Sequence, residues 1–171
     1  MSMTPVFSTV TVRPQDIEPI RLWRNAQMKV LRQQKPITSE EQAAYYDCIW
    51  RMMLRPKPTN VLVSLLKDGV LVGYGGLTYI HWEYGRAEVA FLADPQIEDY
   101  EEAFTAFLTM MKADAIQLGL HRLYTETYDL RPRHIEILEK NGFECEGELV
   151  DHVRIDGMYV GSVFHGWINE G

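Results

Sequence analysis

The chain is poor in the features that mark secreted, membrane-spanning or metal-bound proteins. No apolar run approaches the ~18 residues that a helix needs to cross a bilayer. Met1 to Val12 lacks the basic start and apolar stretch of a secretory signal. Cysteine is scarce, with only Cys48 and Cys145 among 171 residues. Two isolated thiols without a secretory signal are expected to be reduced and buried in the core, and the expected compartment is the cytoplasm. The five histidines and two cysteines show no ligand spacing, so no metal site is expected. Neither a Gly-x-Ser-x-Gly elbow nor a Walker loop is present, which removes the signatures of α/β-hydrolases and P-loop enzymes. Basic charge is short as well. With 17 Lys and Arg against 24 Asp and Glu the net charge is −7, the wrong sign for a general nucleic-acid binder.

What is present suits one globular domain over residues 1–171, since apolar residues make up 46% and charged residues 24% of the chain. Thr9 to Val12 alternates with β-branched residues and predicts a first strand. Pro14 to Asn25 predicts a short helix with Ile17, Ile20 and Trp23 on one face. Thr38 and Glu41 form a capping-box pattern, followed at helical spacing by Ala43, Tyr46, Trp50 and Met53, and Pro56 and Pro58 end that helix. Asn60 to Leu66 and Val70 to Ile80 flank Asp68-Gly69, a hairpin turn dipeptide, and Ala87 to Leu92 is a further strand. The longest helix is expected from Asp99 to Leu118, burying Tyr100, Phe104, Phe107, Met111, Ala115 and Leu118. A strand from Arg122 to Tyr128 and a short helix from Pro132 to Asn141 follow. The last hairpin, Glu146 to Arg154 and Tyr159 to Ile168, turns at Asp156-Gly157. The order β-α-α-β-β-β-α-β-α-β-β is that of an α/β fold, a mixed twisted sheet of about seven strands flanked by about four helices. Its central strand–helix–strand unit implies a parallel crossover.

The charge is unevenly spread. Residues 21 to 57 hold eight of the 17 basic side chains (Arg21, Arg24, Lys29, Arg32, Lys35, Arg51, Arg55, Lys57) but only three acids, Glu40, Glu41 and Asp47. A solvated helical face and a local attraction for an anionic substrate both account for this.

The element order, the segment Leu118-Gly119-Leu120-His121-Arg122-Leu123 and the run Glu139-Lys140-Asn141-Gly142-Phe143 together resemble the GNAT N-acetyltransferase superfamily, across almost the whole chain. Leu22-Trp23-Arg24-Asn25, with Gln34-Lys35-Pro36-Ile37-Thr38, is similar to two of its branches. One acetylates ribosomal-protein N-termini and the other acetylates amino groups on nucleotide-linked sugars. The resemblance implies acetyl-CoA as cosubstrate and a small-molecule amine as acceptor. It places the acceptor beside the first two helices, so Trp23, Arg24, Asn25 and Arg32 are the candidate substrate-binding residues. Trp23 also suits the core. A nucleotide sugar would bring a diphosphate to the basic 21–57 segment. No nucleic acid or membrane partner is expected, and the final hairpin offers an edge for a homodimer.

The resemblance further implies that the two central parallel strands splay apart, so that main-chain groups of Phe91, Leu92 and Ala93 pair with the pantetheine arm. Family members bind the pyrophosphate on backbone amides of a Gln/Arg-x-x-Gly-x-Gly/Ala loop at the start of the long helix. The matching stretch here is Glu98-Asp99-Tyr100-Glu101-Glu102-Ala103, which lacks both glycines and carries four carboxylates. Those acids suit a helix start electrostatically. Phosphate binding would then need them turned to solvent, or Arg131 and Arg133 as compensating charge; the family usually has Asn at the position of Arg131. Three residues are candidates for proton transfer. Glu88 matches a strand glutamate used as base by some relatives, or else forms a salt bridge with Arg86 or Arg122. His81 could deprotonate an amine at neutral pH or be an ordinary loop histidine. His134 lies one turn before Leu138, which stands where many relatives have a tyrosine acid. Alternatives to the amino-sugar reading are a protein N-terminal acetyltransferase and a non-catalytic binding module built on the same fold.

Overall fold

The computed structural model describes residues 4–171, so the first three residues of the Met1–Val12 stretch lie outside the described residues. It contains one seven-stranded sheet in the order β1-β2-β3-β4-β5-β7-β6. The strands are β1 Phe7–Thr11, β2 Val61–Lys67, β3 Val70–His81, β4 Arg86–Ala93, β5 Arg122–Tyr128, β6 Glu144–Ile155 and β7 Met158–Ile168. Four α-helices accompany them: α1 Ile17–Ala26, α2 Ser39–Met53, α3 Tyr100–Gln117 and α4 Pro132–Lys140. All neighbours pair antiparallel except β4 and β5, the pair joined by the α3 crossover.

One expected helix is divided. Pro14–Asp16 forms a 3-10 turn and the α-helix begins only at Ile17. The reason is Pro19, which has no N–H to donate and is tolerated only in the first turn of an α-helix. Starting at Ile17 puts Pro19 in that turn. The capping box forms as the spacing predicts: Glu41 N–H donates to Thr38 Oγ1 (3.2 Å), and Thr38 N–H donates to Glu41 Oε2 (3.0 Å).

Helices cover both faces of the sheet. On one face α3 and α4 bury Phe104, Phe107, Leu108, Met111, Ile137 and Leu138 against Ala87, Val89, Phe91 and Leu123. Phe91 lies at the centre, its ring 4.7 Å from both Phe104 and Phe107. On the other face α1 and α2 bury Ile20, Tyr46 and Ile49 against Val12 and Leu62. Tyr100 and Leu118, at the two ends of the long helix's stripe, are only half-buried. The two cysteines are free thiols, but both are exposed, which corrects the expectation of core positions. Cys48 falls on the outward side of α2, between the buried Tyr46 and Ile49, and Cys145 lies on the edge strand β6, whose residues are nearly all exposed.

The sheet comes together most closely at Gly75. A Cβ there would lie 2.0 Å from the carbonyl oxygen of Ala90 and 2.9 Å from Phe107 Cζ, so β3, β4 and α3 meet only because this position has no side chain. Gly75→Ala is expected to destabilise the fold by about 1–3 kcal/mol through overpacking. Urea denaturation checks this, and an unchanged midpoint would contradict the close approach.

Candidate functional site

The central parallel pair is short. Only Arg86, Ala87 and Glu88 of β4 find register partners on β5, at Arg122, Leu123 and Tyr124. Beyond that point β4 keeps its partners on β3 alone, and β5 keeps its partners on β7 alone. The resulting gap exposes main-chain hydrogen-bonding groups along one edge of β4, which need a partner other than a strand. A cavity of about 110 Å³ occupies it, lined by Glu88 to Phe91 of β4, Thr125 to Tyr128 of β5, Arg131, His134 and Val30 to Arg32. On the α1/α2 face it adjoins a cleft of about 410 Å³, and the two share Leu31, Arg32, Glu88, Ala90 and Phe91. The gap therefore connects the two faces of the sheet.

Strand alternation divides the chemistry between those faces. Ala87, Val89, Phe91 and Ala93 point to α3, so Glu88 points to the α1/α2 face. There it is 5% exposed and pairs with the guanidinium of Arg32, not with Arg86 or Arg122. Arg32 also reaches Glu126 of β5 (Nη1 to Oε2, 3.4 Å), bridging both lips of the gap. Burial pushes the Glu88 carboxyl above the ordinary carboxylate range; Arg32 opposes this and the neighbouring Glu126 adds to it. Asn25 holds the loop that carries Arg32. Its side-chain oxygen accepts from Ile37 N–H and Gln33 Nε2 (both 2.8 Å), and its Nδ2 donates to the Ile37 carbonyl (2.9 Å). Asn25 is thus committed to the loop. Trp23 is half-buried in the α1/α2 core and lines neither cavity. Arg24 does line the larger cleft. His81 lies at the closed end of the β4–β5 pair, exposed and stacked on Tyr84 with ring centres 4.0 Å apart, and it lines neither cavity.

The opposite face carries the acidic loop. Its carboxylates are disposed of one by one. Asp99 pairs with Lys67, Glu101 pairs with Lys140 (3.0 Å), and Glu98 and Glu102 are exposed. Asp99 makes no side-chain cap, and the first helical bond runs from Ala103 N–H to the Asp99 carbonyl (3.0 Å). The amides of Tyr100, Glu101 and Glu102 therefore have no helical partner, as at any uncapped helix start. Ala103 itself is buried in the core. Arg131 donates to the Tyr100 hydroxyl (3.2 Å), which lies 2.7 Å from His134 Nδ1, while Arg133 is exposed at the start of α4. Of the proposed main-chain contacts, Phe91 lines both cavities and Leu92 the larger one, whereas the Ala93 carbonyl already accepts from Gln27 Nε2 (3.0 Å).

Several lining residues went unforeseen. Thr125 is 4% exposed, its hydroxyl has no hydrogen-bond partner, and it lines the gap. A buried hydroxyl is seldom left unpaired, so this one is suited to a bound ligand. Tyr45, Tyr74, Tyr79 and Asn60 line the larger cleft. Tyr79 sits at a β-bulge with φ 49°, its N–H donating to Asn60 Oδ1 (3.2 Å). A tyrosine in left-handed backbone is a local cost of order 1–3 kcal/mol, of a kind that clusters at ligand sites. No composition or spacing signal marks this bulge. Among the described residues no cluster of three or more His, Cys, Asp or Glu side chains is placed to hold a metal ion, and no helix is long and apolar enough to cross a membrane.

A mixed sheet opened between two parallel strands, with a buried carboxylate on one side and free helix-start amides on the other, defines a transferase that brings two substrates together through the sheet. The family comparison agrees: the model described as "Acetyltransferase (GNAT) domain" matches residues 9–164, and the chain belongs to that family. It is an acetyltransferase of the GNAT type, a family that takes acetyl-CoA as acetyl donor. Solved structures of similar fold include the spermidine N-acetyltransferase of Vibrio cholerae in complex with CoA and spermine, at 18% identity and TM-score 0.81, covering 95% of each chain. A GNAT superfamily phosphinothricin acetyltransferase from Sinorhizobium meliloti, in complex with AcCoA, is 17% identical with TM-score 0.81, covering 99% of this chain and 91% of that one. An N-acetyltransferase from Staphylococcus aureus Mu50 is 14% identical with TM-score 0.79, covering 95% and 98%. No curated protein sequence matches the chain.

The Glu88–Arg32 pair can be tested without any substrate. Arg32→Ala removes the cation that favours the Glu88 carboxylate and leaves burial and Glu126 unopposed, so the carboxyl midpoint is expected to rise. Carbon-13 NMR titration of the Glu88 carboxyl measures it. A midpoint that stays put or falls would refute the pairing.

Proposed function

We propose that the chain acetylates a primary amine carried on an anionic small molecule, an amino sugar linked to a nucleotide. The observation that carries this reading is the charge of the larger cleft. Arg24 lines it with a side chain that makes no ion pair or hydrogen bond to any described residue, and among the described lining residues Glu88, already paired with Arg32, is the only acid. A polycation such as a polyamine would find one committed carboxylate and two guanidiniums there. A diphosphate would find Arg24. Tyr45, Tyr74 and Tyr79 offer flat faces for a sugar or base.

In this reading bound acetyl-CoA supplies an activated acetyl group, and the chain's residues place and deprotonate the amine. Amides at the start of α3, with Arg131 and Arg133, hold the pyrophosphate, and the open edge of β4 with the Thr125 hydroxyl receives the pantetheine arm. Glu88 faces the acceptor side of the gap and takes a proton from the incoming amine. Its raised midpoint brings a carboxylate nearer to the range in which a base operates around neutral pH.

A panel of amines tests the acceptor class: nucleotide-linked amino sugars, polyamines, and peptides with free N-termini. Acetyl transfer to a nucleotide amino sugar is expected, with Arg24→Ala raising KM for it by roughly tenfold or more, as loss of a charge-assisted contact should. Turnover confined to peptides would favour the N-terminal acetyltransferase reading, and turnover of polyamines alone would remove the argument from charge.

A further inference from the structure

The Arg131–Tyr100–His134 chain joins the starts of α3 and α4 at the gap, and the family resemblance gives the Tyr100 side chain no task. Tyr100 is half-buried, with ring centres 6.0 Å from Phe91 and 5.9 Å from Phe104. His134 is 8% exposed, stacks on Phe104 at 4.3 Å and lines the gap beside Val89, Phe91 and Thr125. Its Nδ1 is tied to the Tyr100 hydroxyl, and no described residue bonds its Nε2.

The hydrogen-bond inventory decides where the protons are. A guanidinium can only donate, so the Tyr100 oxygen accepts from Arg131. Donation of the hydroxyl's own proton to His134 Nδ1 then leaves each member of the chain with a partner. Burial first, then the charges of Arg131 and His165, hold the imidazole well below its ordinary titration range, so it is neutral. A neutral ring that accepts at Nδ1 carries its proton on Nε2. The arrangement is thus directional: cation, hydroxyl, imidazole, and a free N–H at the cavity. It lies on the face of the sheet opposite Glu88.

We infer that Arg131, Tyr100 and His134 form a proton relay that protonates the sulfur leaving the acetyl group. The inference rests on the acetyl-transfer reading above and gives that site its acid. As the amine nitrogen bonds to the acetyl carbon and the carbon–sulfur bond breaks, the Nε2 proton of His134 passes to sulfur. Nδ1 takes the hydroxyl proton of Tyr100, and the phenolate is held beside the Arg131 guanidinium until, after the thiol leaves, a solvent proton enters at Nε2 and the Nδ1 proton returns to the Tyr100 oxygen. Glu88 removes one proton from the amine on one face and the relay supplies one to sulfur on the other, so the protons balance over a turnover. Leu138, buried in the core where many relatives have a tyrosine, cannot supply it. His134 is the catalytic acid; Tyr100 and Arg131 act through it.

The tautomer is read first, by long-range proton–nitrogen NMR on the free protein, and needs neither acceptor nor acetyl donor. His134 is expected to be neutral at pH 7 with its proton on Nε2, and Tyr100→Phe, which keeps the ring packing, should move the Nδ1 resonance as its donor is lost. A proton on Nδ1 in the unaltered protein overturns the relay. The second readout compares acetyl donors. With acetyl-CoA, Tyr100→Phe and His134→Gln are expected to lower kcat by about 10². With an acetyl ester of an acidic aryl thiol, which leaves without protonation, both should stay within about twofold of the unaltered enzyme. Equal losses with the two donors, or no loss with acetyl-CoA, would overturn the inference. Failure of every amine in the acceptor panel would count against the acceptor reading, and the tautomer would still judge the relay.

Discussion

The parting of β4 and β5 after Glu88 and Tyr124 is the constraint on which the site depends. Two parallel strands that stayed paired would satisfy each other's main chain and seal the sheet. Here three register pairs hold the closed end, and the edge of β4 from Val89 to Ala93 is left open toward β5. Because side chains alternate along a strand, the same opening separates the chemistry by face. Glu88 and Glu126 turn toward α1 and α2, and Thr125 and Thr127 turn toward α3 and α4 with Leu123. A base for the amine and a donor for the leaving group can then sit on opposite sides of one gap without neutralising each other.

Charge around that gap is managed by long-range pairing. The loop before α3 has the wrong composition for phosphate as sequence alone presents it. Lys67 and Lys140, from the end of β2 and the end of α4, take up Asp99 and Glu101, and the remaining two acids face water. The backbone amides at the helix start stay free, and that is the part of a phosphate-binding loop that does the binding. On the acceptor side Arg32 spans Glu88 and Glu126, so two carboxylates on adjacent strands tolerate one another.

The elements were largely legible because local rules govern them. Thr38 and Glu41 mark the start of α2 three residues apart, and Asp68-Gly69 turns the first hairpin with positive φ at both residues. The departure at Pro14–Asp16 is local too, since Pro19 decides where an α-helix can begin. The site was legible only in part. Glu88 stood out by its place on a strand, yet its partner Arg32 lies 56 residues away and could not be assigned from sequence. Lys67 and Lys140 likewise meet the acidic loop only in three dimensions. Tyr79 and Thr125 have ordinary surroundings in the sequence. Their roles arise from a bulge and from an unpaired buried hydroxyl, neither of which has a pattern to find.

The central claim is that an acidic, glycine-free loop still binds the cosubstrate through its amides and Arg131. Thermal unfolding with and without acetyl-CoA tests this most directly, since a ligand that binds only the native state stabilises it by about 2.7 kcal/mol at a hundred times Kd. The account predicts a melting temperature that rises with acetyl-CoA concentration, and a smaller rise in Arg131→Ala. An unchanged melting temperature at saturating acetyl-CoA would contradict it.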